Sequence, residues 1–326
     1  MACDKSTCID ISRVSGLFFA VSPSMKDFNT FVSRYDSLEI SYVVVRPEGQ
    51  PKAVLQLLHG MCGCKERFLP FMEFMAGQGV VCIANDHRGH GDSVKSADDL
   101  GYMYDGGYVA LIDDVRQLNR MAAREWPSLP LYMLGHSMGS LALRTLLKNH
   151  TDRLDGVVIC GSPAPNVLAH LSRVFSALAI RAGMGRRRPV NIQSLASAAY
   201  NRNFRDEGPK AWICSDPEVR KAFLSNPRTD FVFTFNASNA LMNMMCETYS
   251  SDGWTVCNPD MPVLFLSGAD DPCMGGMKGL GKAVRKMREA GYHDVSYKIY
   301  PAMRHEILNE IGKERVWQDI LRFIGL

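Results

Sequence analysis

Leu131-Tyr132-Met133-Leu134-Gly135-His136-Ser137-Met138-Gly139-Ser140 is an apolar run that ends in a Gly-x-Ser-x-Gly pentapeptide and passes into the helical pattern Leu141-Ala142-Leu143-Arg144-Thr145-Leu146-Leu147. Small residues two before and two after a serine let a strand reverse sharply into a helix, with the serine at the tip and its hydroxyl exposed. The bare pentapeptide marks only a glycine-rich turn in many long chains. The strand before it and the helix after it predict a nucleophile elbow at Ser137.

Outward from the elbow, strand and helix signals alternate. The segments around Tyr35 to Glu39 and Tyr42 to Pro47 read as a hairpin, followed by apolar strands at Ala53 to Leu58 and Val80 to Ala84. Between the last two, Phe68, Phe71, Met72 and Met75 recur at helical spacing. A further helix runs from about Gly107 to Arg124, and another buried strand from Gly156 to Gly161. This alternation implies an α/β fold, a mostly parallel central sheet flanked by helices on both faces.

After Ser162-Pro163-Ala164-Pro165 the pattern changes. Amphipathic helical runs (Val167 to Arg181, Pro217 to Ser225, Phe235 to Tyr249) replace strands until about Asn258. A helical cap (lid) over 162–258, inserted in a core made of 1–161 and 259–326, accounts for this. Strand signals resume at Pro262 to Gly268 and Val295 to Tyr300, with helices near Lys282 to Ala290 and Glu310 to Ile324. Residues 1 to about 30 carry no clear period and are expected to be a partly ordered extension. Arg186-Arg187-Arg188 is expected to be a solvated loop of the cap.

Composition narrows the partners. The 326 residues are 46% hydrophobic and 22% charged, and 37 basic against 34 acidic residues leave a formal charge of +3, which offers no electrostatic reason to expect nucleic acid. Ten cysteines are scattered, several inside apolar runs, where they act as small buried hydrophobes in a reducing compartment rather than as a disulfide framework. Cys62-Gly63-Cys64 lacks the usual C-x-x-C spacing and a matching second pair, which argues against a metal site. Val14 to Val21 lacks a basic leader and falls short of the ~20 residues of a membrane span, so a cytoplasmic location is expected.

A serine hydroxyl needs a base within hydrogen-bond reach and a third group to orient that base. Downstream of Ser137 the histidines are His150, His170, His293 and His305. Only His305 follows a strand of the sheet at its carboxyl edge, where active-site loops gather. The acid should come from the loop after Pro262 to Ser267, which holds Asp270 and Asp271; local pattern does not separate them, and the other serves as a turn residue before Pro272. Backbone N–H groups of Met61, in His59-Gly60-Met61-Cys62-Gly63, and of Met138 are the expected oxyanion-hole donors, each typically worth ~3 kcal/mol in the transition state. Asp86-His87-Arg88-Gly89-His90-Gly91-Asp92-Ser93 reads as a tight structural loop with internally paired charges rather than a metal cluster.

Together, His59-Gly60-Met61, Asp86 to Ser93, Gly135 to Gly139, Ser267-Gly268-Ala269-Asp270-Asp271-Pro272 and Arg304-His305-Glu306 closely resemble the α/β-hydrolase superfamily, and within it the monoacylglycerol lipase and lysophospholipase group of serine hydrolases. Counting Gly-x-x-Asp from Gly268, the resemblance implies Asp271 as the acid. Asn201-Arg202-Asn203-Phe204 and Asp216-Pro217-Glu218-Val219 look like the cap of bacterial members. The resemblance implies an acyl-ester substrate and a Ser137-His305-Asp271 triad working through an acyl-enzyme, with no cofactor or metal. Leu171, Phe175, Leu178, Phe231, Phe233, Phe235, Met242, Met244 and Met245 are candidates to line an acyl channel, and the cap could touch a membrane surface transiently. The competing readings are a carboxylesterase for short or non-lipid esters, an amidase or peptidase of the same fold, and a ligand-binding protein without catalysis; oligomeric state is not readable.

Overall fold

The computed structural model describes residues 24–149 and 153–326. Eight strands form one sheet: β1 (Met25–Val32), β2 (Glu39–Arg46), β3 (Ala53–Leu58), β4 (Val80–Asn85), β5 (Leu131–His136), β6 (Gly156–Cys160), β7 (Val263–Gly268) and β8 (Val295–Tyr300). Their spatial order is β1-β2-β4-β3-β5-β6-β7-β8. β2 is antiparallel to β1 and to β4, and every later pairing is parallel. Every residue of β3, β4 and β6 is buried, as expected of strands covered on both faces, and this is why they read as continuous apolar runs.

Helices α1 (Leu69–Gly77) and α9 (Glu314–Phe323) cover one face, where the Phe71 and Trp317 rings meet at 6.0 Å. The other face carries α2 (Gly107–Glu125), α3 (Met138–Leu147) and α8 (Gly276–Ala290), which bury Leu111, Val115, Leu141 and Met287. The parallel strands β3, β5, β6, β7 and β8 all point their carboxyl ends at one edge, so the loops after Leu58, His136, Cys160, Gly268 and Tyr300 converge there.

The first hairpin differs from expectation. Its strands are Met25–Val32 and Glu39–Arg46, in register Val32↔Glu39, and Tyr35 lies in the turn rather than in a strand. Only Phe31 of β1 is buried, so this edge strand carries no apolar alternation to announce it. The expected extension therefore overlaps the sheet from Met25 on, and its first 23 residues lie outside the described part.

Between β6 and β7, among the described residues, the chain is helical: α4 (Ala169–Ala179), α5 (Val190–Tyr200), α6 (Pro217–Ser225) and α7 (Phe235–Tyr249), with short helical turns at Asn201–Glu207 and Ala211–Ile213. The bounds of α6 and α7 match the expected runs, and both start at a side-chain cap: Asp216 accepts from Glu218 N, and Thr234 from Ala237 N. α5 carries no buried residue, so no apolar stripe reveals it in the sequence. The arginine loop is not merely solvated. Arg186 pairs with Asp99 and lies 4.2 Å over the Tyr102 ring, and Arg188 donates to the Asp98 and Leu100 carbonyls at 2.9 and 2.7 Å.

Candidate active site

The turn from β5 into α3 puts Ser137 at φ 53, ψ −117, a conformation that a non-glycine residue holds only at a cost of about 1–3 kcal/mol. The surrounding packing imposes it. A Cβ on Gly135 would lie 2.5 Å from the Gly139 carbonyl oxygen, and one on Gly139 would lie 2.2 Å from that of Leu58. The two motif glycines thus let the first turn of α3 close onto β5 and β3, while Ser137 N donates to Cys160 O at 3.0 Å. Ser137 stays partly exposed at the tip.

Two other loops of the same edge reach this serine. Nε2 of His305 stands 2.8 Å from Ser137 Oγ, and Nδ1 stands 2.9 Å from Asp271 Oδ2. The second oxygen of Asp271 accepts from Cys273 N at 2.8 Å, which fixes the carboxylate. Asp270 is exposed, and its N–H donates to Met303 O, so the neighbouring aspartates separate cleanly. His305 and Asp271 are both buried. Burial presses His305 toward its neutral form, but the Asp271 carboxylate outweighs this and holds the imidazole well above the ordinary histidine range.

The other histidines lie elsewhere. His293 pairs with Asp260 at 2.9 Å on the far side of the sheet, His170 is exposed on α4, and His150 lies outside the described residues.

The loop after β3 abuts Ser137. A Cβ on Gly60 would lie 3.0 Å from Ser137 Cβ, so the turn Gly60 to Gly63, which contains Met61 and is closed by Gly63 N to Gly60 O at 3.0 Å, starts against the serine. Met138 follows Ser137 directly as the first residue of α3, where a backbone N–H has no partner within the helix. A buried histidine cluster shapes that turn. His59 Nδ1 meets Gly60 O at 2.8 Å, its Nε2 accepts from His87 N at 2.9 Å, and the His59 ring lies 4.2 Å from His87 and 5.0 Å from His90. Burial lowers all three, His87 to about 3 and His90 to about 4.

The charges of Asp86 to Ser93 are paired, but not internally as expected. Lys65, fully buried, donates to Asp86 at 2.7 Å and to Asp92 at 2.8 Å; Arg88 donates to Asp114 at 2.9 Å and to Asp36 at 2.7 Å. The partners come from other segments, which spacing within the loop cannot show. Glu66, Asp86 and Asp92 converge closely enough to hold a cation, and the Lys65 ammonium already occupies that position. Asp271, Cys273 and His305 also bring an oxygen, a sulfur and a nitrogen within 4.8 Å of one another. Cys62 and Cys64 are free buried thiols, Cys62 donating to Phe231 O.

The candidate channel residues divide. Leu171, Phe175 and Leu178 are exposed on α4, whereas Phe233, Met244 and Met245 are buried in the core, so they do not line one cavity. Missed in the sequence were Trp212, whose ring lies 5.1 Å from His305, and Cys273, in contact with that imidazole. Cys273 follows Asp271 by two residues and could have been flagged by proximity; Trp212 sits in the helical insertion with no local signal.

A parallel sheet with two antiparallel edge pairings and a serine elbow on its carboxyl edge defines an α/β-hydrolase, and the chain is a serine hydrolase of that fold. It belongs to the family described as serine aminopeptidase, S33, whose model matches residues 49–312. It is similar to the monoacylglycerol lipase of Mycolicibacterium smegmatis, at 25% identity over 88% of this chain and 93% of that one. In fold it resembles a thermostable carboxyl esterase from Bacillus coagulans (TM-score 0.83, 24% identity, 92% of this chain and 97% of that chain). It also resembles a soluble variant of monoglyceride lipase from Saccharomyces cerevisiae (TM-score 0.72, 18% identity, 95% and 98%).

Proposed function

We propose that the chain hydrolyses esters of single acyl chains, of the monoacylglycerol or lysophospholipid kind, with Ser137 as nucleophile, His305 as base and Asp271 orienting the base. The observation that carries this is the unbroken hydrogen-bond chain from Ser137 Oγ through His305 to Asp271, at 2.8 and 2.9 Å. Ser137 Oγ attacks the acyl carbonyl as its proton passes to His305 Nε2. The Met61 and Met138 N–H groups receive the oxyanion, and His305 returns the proton to the leaving alcohol. Water, deprotonated by the same nitrogen, then opens the acyl-enzyme and releases the fatty acid. Every proton transfer uses His305, so the reaction requires no cofactor.

In this reading 162–258 is a cap over a core of 1–161 and 259–326. The cap supports the lipid preference. Val167, Leu171, Phe175, Leu178 and Leu195 are all exposed large apolar side chains on or next to α4 and α5, Val167 at 91% and Leu195 at 74%. Such a concentration of exposed apolar surface suits a substrate presented in micelles or at a membrane surface. No helix of the described residues is long and apolar enough to cross a membrane. The eight described cysteines are all free, which fits a reducing, cytoplasmic setting.

Rates on p-nitrophenyl esters of two to sixteen carbons test the substrate class. The expected profile rises to an optimum at eight carbons or more. A sharp optimum at two carbons replaces the lipid reading with a short-ester one, and faster turnover of aminoacyl arylamides replaces it with a peptidase.

A further inference from the structure

The loop that carries His305 is fastened to the helical insertion as well as to its own sheet. Arg304, 7% exposed, donates Nη1 to Ala211 O at 2.7 Å and to Cys214 O at 3.4 Å, and Nη2 to Glu207 Oε1 at 2.5 Å. The same guanidinium lies 4.0 Å from the centre of the Phe204 ring. Glu306 N donates to Ile213 O at 2.8 Å. Glu310, 1% exposed, accepts from Arg304 N at 2.9 Å and from Ser215 N at 2.7 Å, and its other oxygen pairs with the Ser215 hydroxyl.

These bonds link 304–310 to 204–215 through partners 90 to 97 residues apart, on both sides of His305 in the chain. Inside the fastening, the Trp212 ring lies 5.1 Å from the His305 ring at a 45° tilt. Tyr200 backs Trp212 at 5.0 Å, and its hydroxyl reaches Cys273, which also touches His305.

An imidazole has one soft terminal torsion. Asp271 holds Nδ1 and the His136 ring lies 4.9 Å from the imidazole on the sheet side, but neither contact blocks a tilt toward the insertion that would carry Nε2 away from Ser137. The Trp212 face closes that tilt from the insertion side. Residues of the insertion thus bear on the orientation of the imidazole as well as on access to the site.

We propose that the insertion segment 200–215 positions the base: Trp212 holds the His305 ring in line with Ser137, and Arg304 and Glu310 hold Trp212 in place. This rests on the reading of His305 as base, and it makes the insertion a determinant of the chemical step as well as of substrate choice. Arginine is required at 304 because three acceptors, two carbonyls and a carboxylate, are met by one planar fork that a lysine ammonium cannot reproduce.

The test uses Trp212→Leu, Trp212→Phe and Arg304→Lys in the full chain. Each is assayed by the second-order rate of phosphonylation with a small methyl fluorophosphonate, which reports the serine and its base without occupying the insertion, and by kcat and KM on the best ester. Trp212→Leu and Arg304→Lys should lower both the phosphonylation rate and kcat by about 10- to 100-fold, the range expected of a misplacement near 1 Å, with KM within threefold. Trp212→Phe, which keeps a ring face, should recover most of the loss. Wild-type phosphonylation with a change confined to KM would overturn the proposal, as would a Trp212→Phe variant as impaired as Trp212→Leu. Thermal melting below the assay temperature in Arg304→Lys leaves the two Trp212 variants, at a half-buried position, to decide. Ser137→Ala labelled like wild type would instead bring down the underlying triad reading, whatever the Trp212 variants do.

Discussion

The carboxyl edge of the sheet and the helical insertion above it treat buried and exposed groups in opposite ways. At the edge, charge is buried and answered: Lys65 meets Asp86 and Asp92, Arg88 meets Asp36 and Asp114, and His305 meets Asp271. In the insertion, large apolar side chains are left in solvent: Leu171 is 68% and Leu178 57% exposed on α4. An unpaired buried charge costs several kcal/mol, so the edge tolerates little change, whereas exposed apolar residues contribute little to stability and are free to serve what binds there. The edge gathers Ser137, His305 and Asp271, while the insertion braces the His305 loop and exposes an apolar surface.

Breaking the edge should have the largest effects. Ser137→Ala is expected to lower kcat by about 10^6 with a melting temperature near wild type, and Asp271→Asn by about 10^4 with a lowered one, because His305 loses its buried partner. Steady-state kinetics beside calorimetry checks both, and a loss in either variant explained by unfolding would remove the contrast between chemistry and scaffold.

Acid should break the edge more gently. His59, His87, His90 and His136 all have folded values lowered, first by burial, the last to about 4, so below the ordinary 6.5 the unfolded chain takes up protons that the folded chain refuses. Their contribution is therefore lost as pH falls from 6.5 toward 4. His305, shifted the other way, contributes stability that is present below 6.5 and lost only as pH rises, so it does not cancel the loss. His87, His90 and His136 should each cost about 1 kcal/mol by pH ~5.5. Melting temperature measured at pH ~7.5 and ~5.5 should fall by several degrees, and an unchanged value would mean that the cluster opens to water.

The smallest effect sharpens the other side of the comparison. Leu171→Ser with Leu178→Ser should leave stability within about 0.5 kcal/mol. It should raise KM severalfold for a long-chain ester presented as micelles, while leaving an acetyl ester unchanged. Equal effects on both esters would take α4 out of substrate handling.

What the sequence made legible follows the same division. β3 to β7 were readable because strands buried on both faces must be apolar throughout, and Ser137 because its glycines answer to contacts at 2.2 and 2.5 Å that no Cβ tolerates. Asp271 was separable from Asp270 only through family resemblance, since the direction of a loop side chain has no local period. β1 escaped because an exposed edge strand needs no pattern, and α5 because it buries nothing. The fastening of Arg304 to Ala211 and Glu207 escaped for a different reason: partners 93 and 97 residues apart leave no mark on either segment alone.

The central claim about the molecule is that Ser137 is a nucleophile activated by His305. Mass spectrometry of the protein after treatment with a fluorophosphonate measures this directly. The predicted result is one adduct per chain, on Ser137, absent in Ser137→Ala and strongly slowed in His305→Ala. No adduct on the wild type, or undiminished labelling of Ser137→Ala, would contradict it.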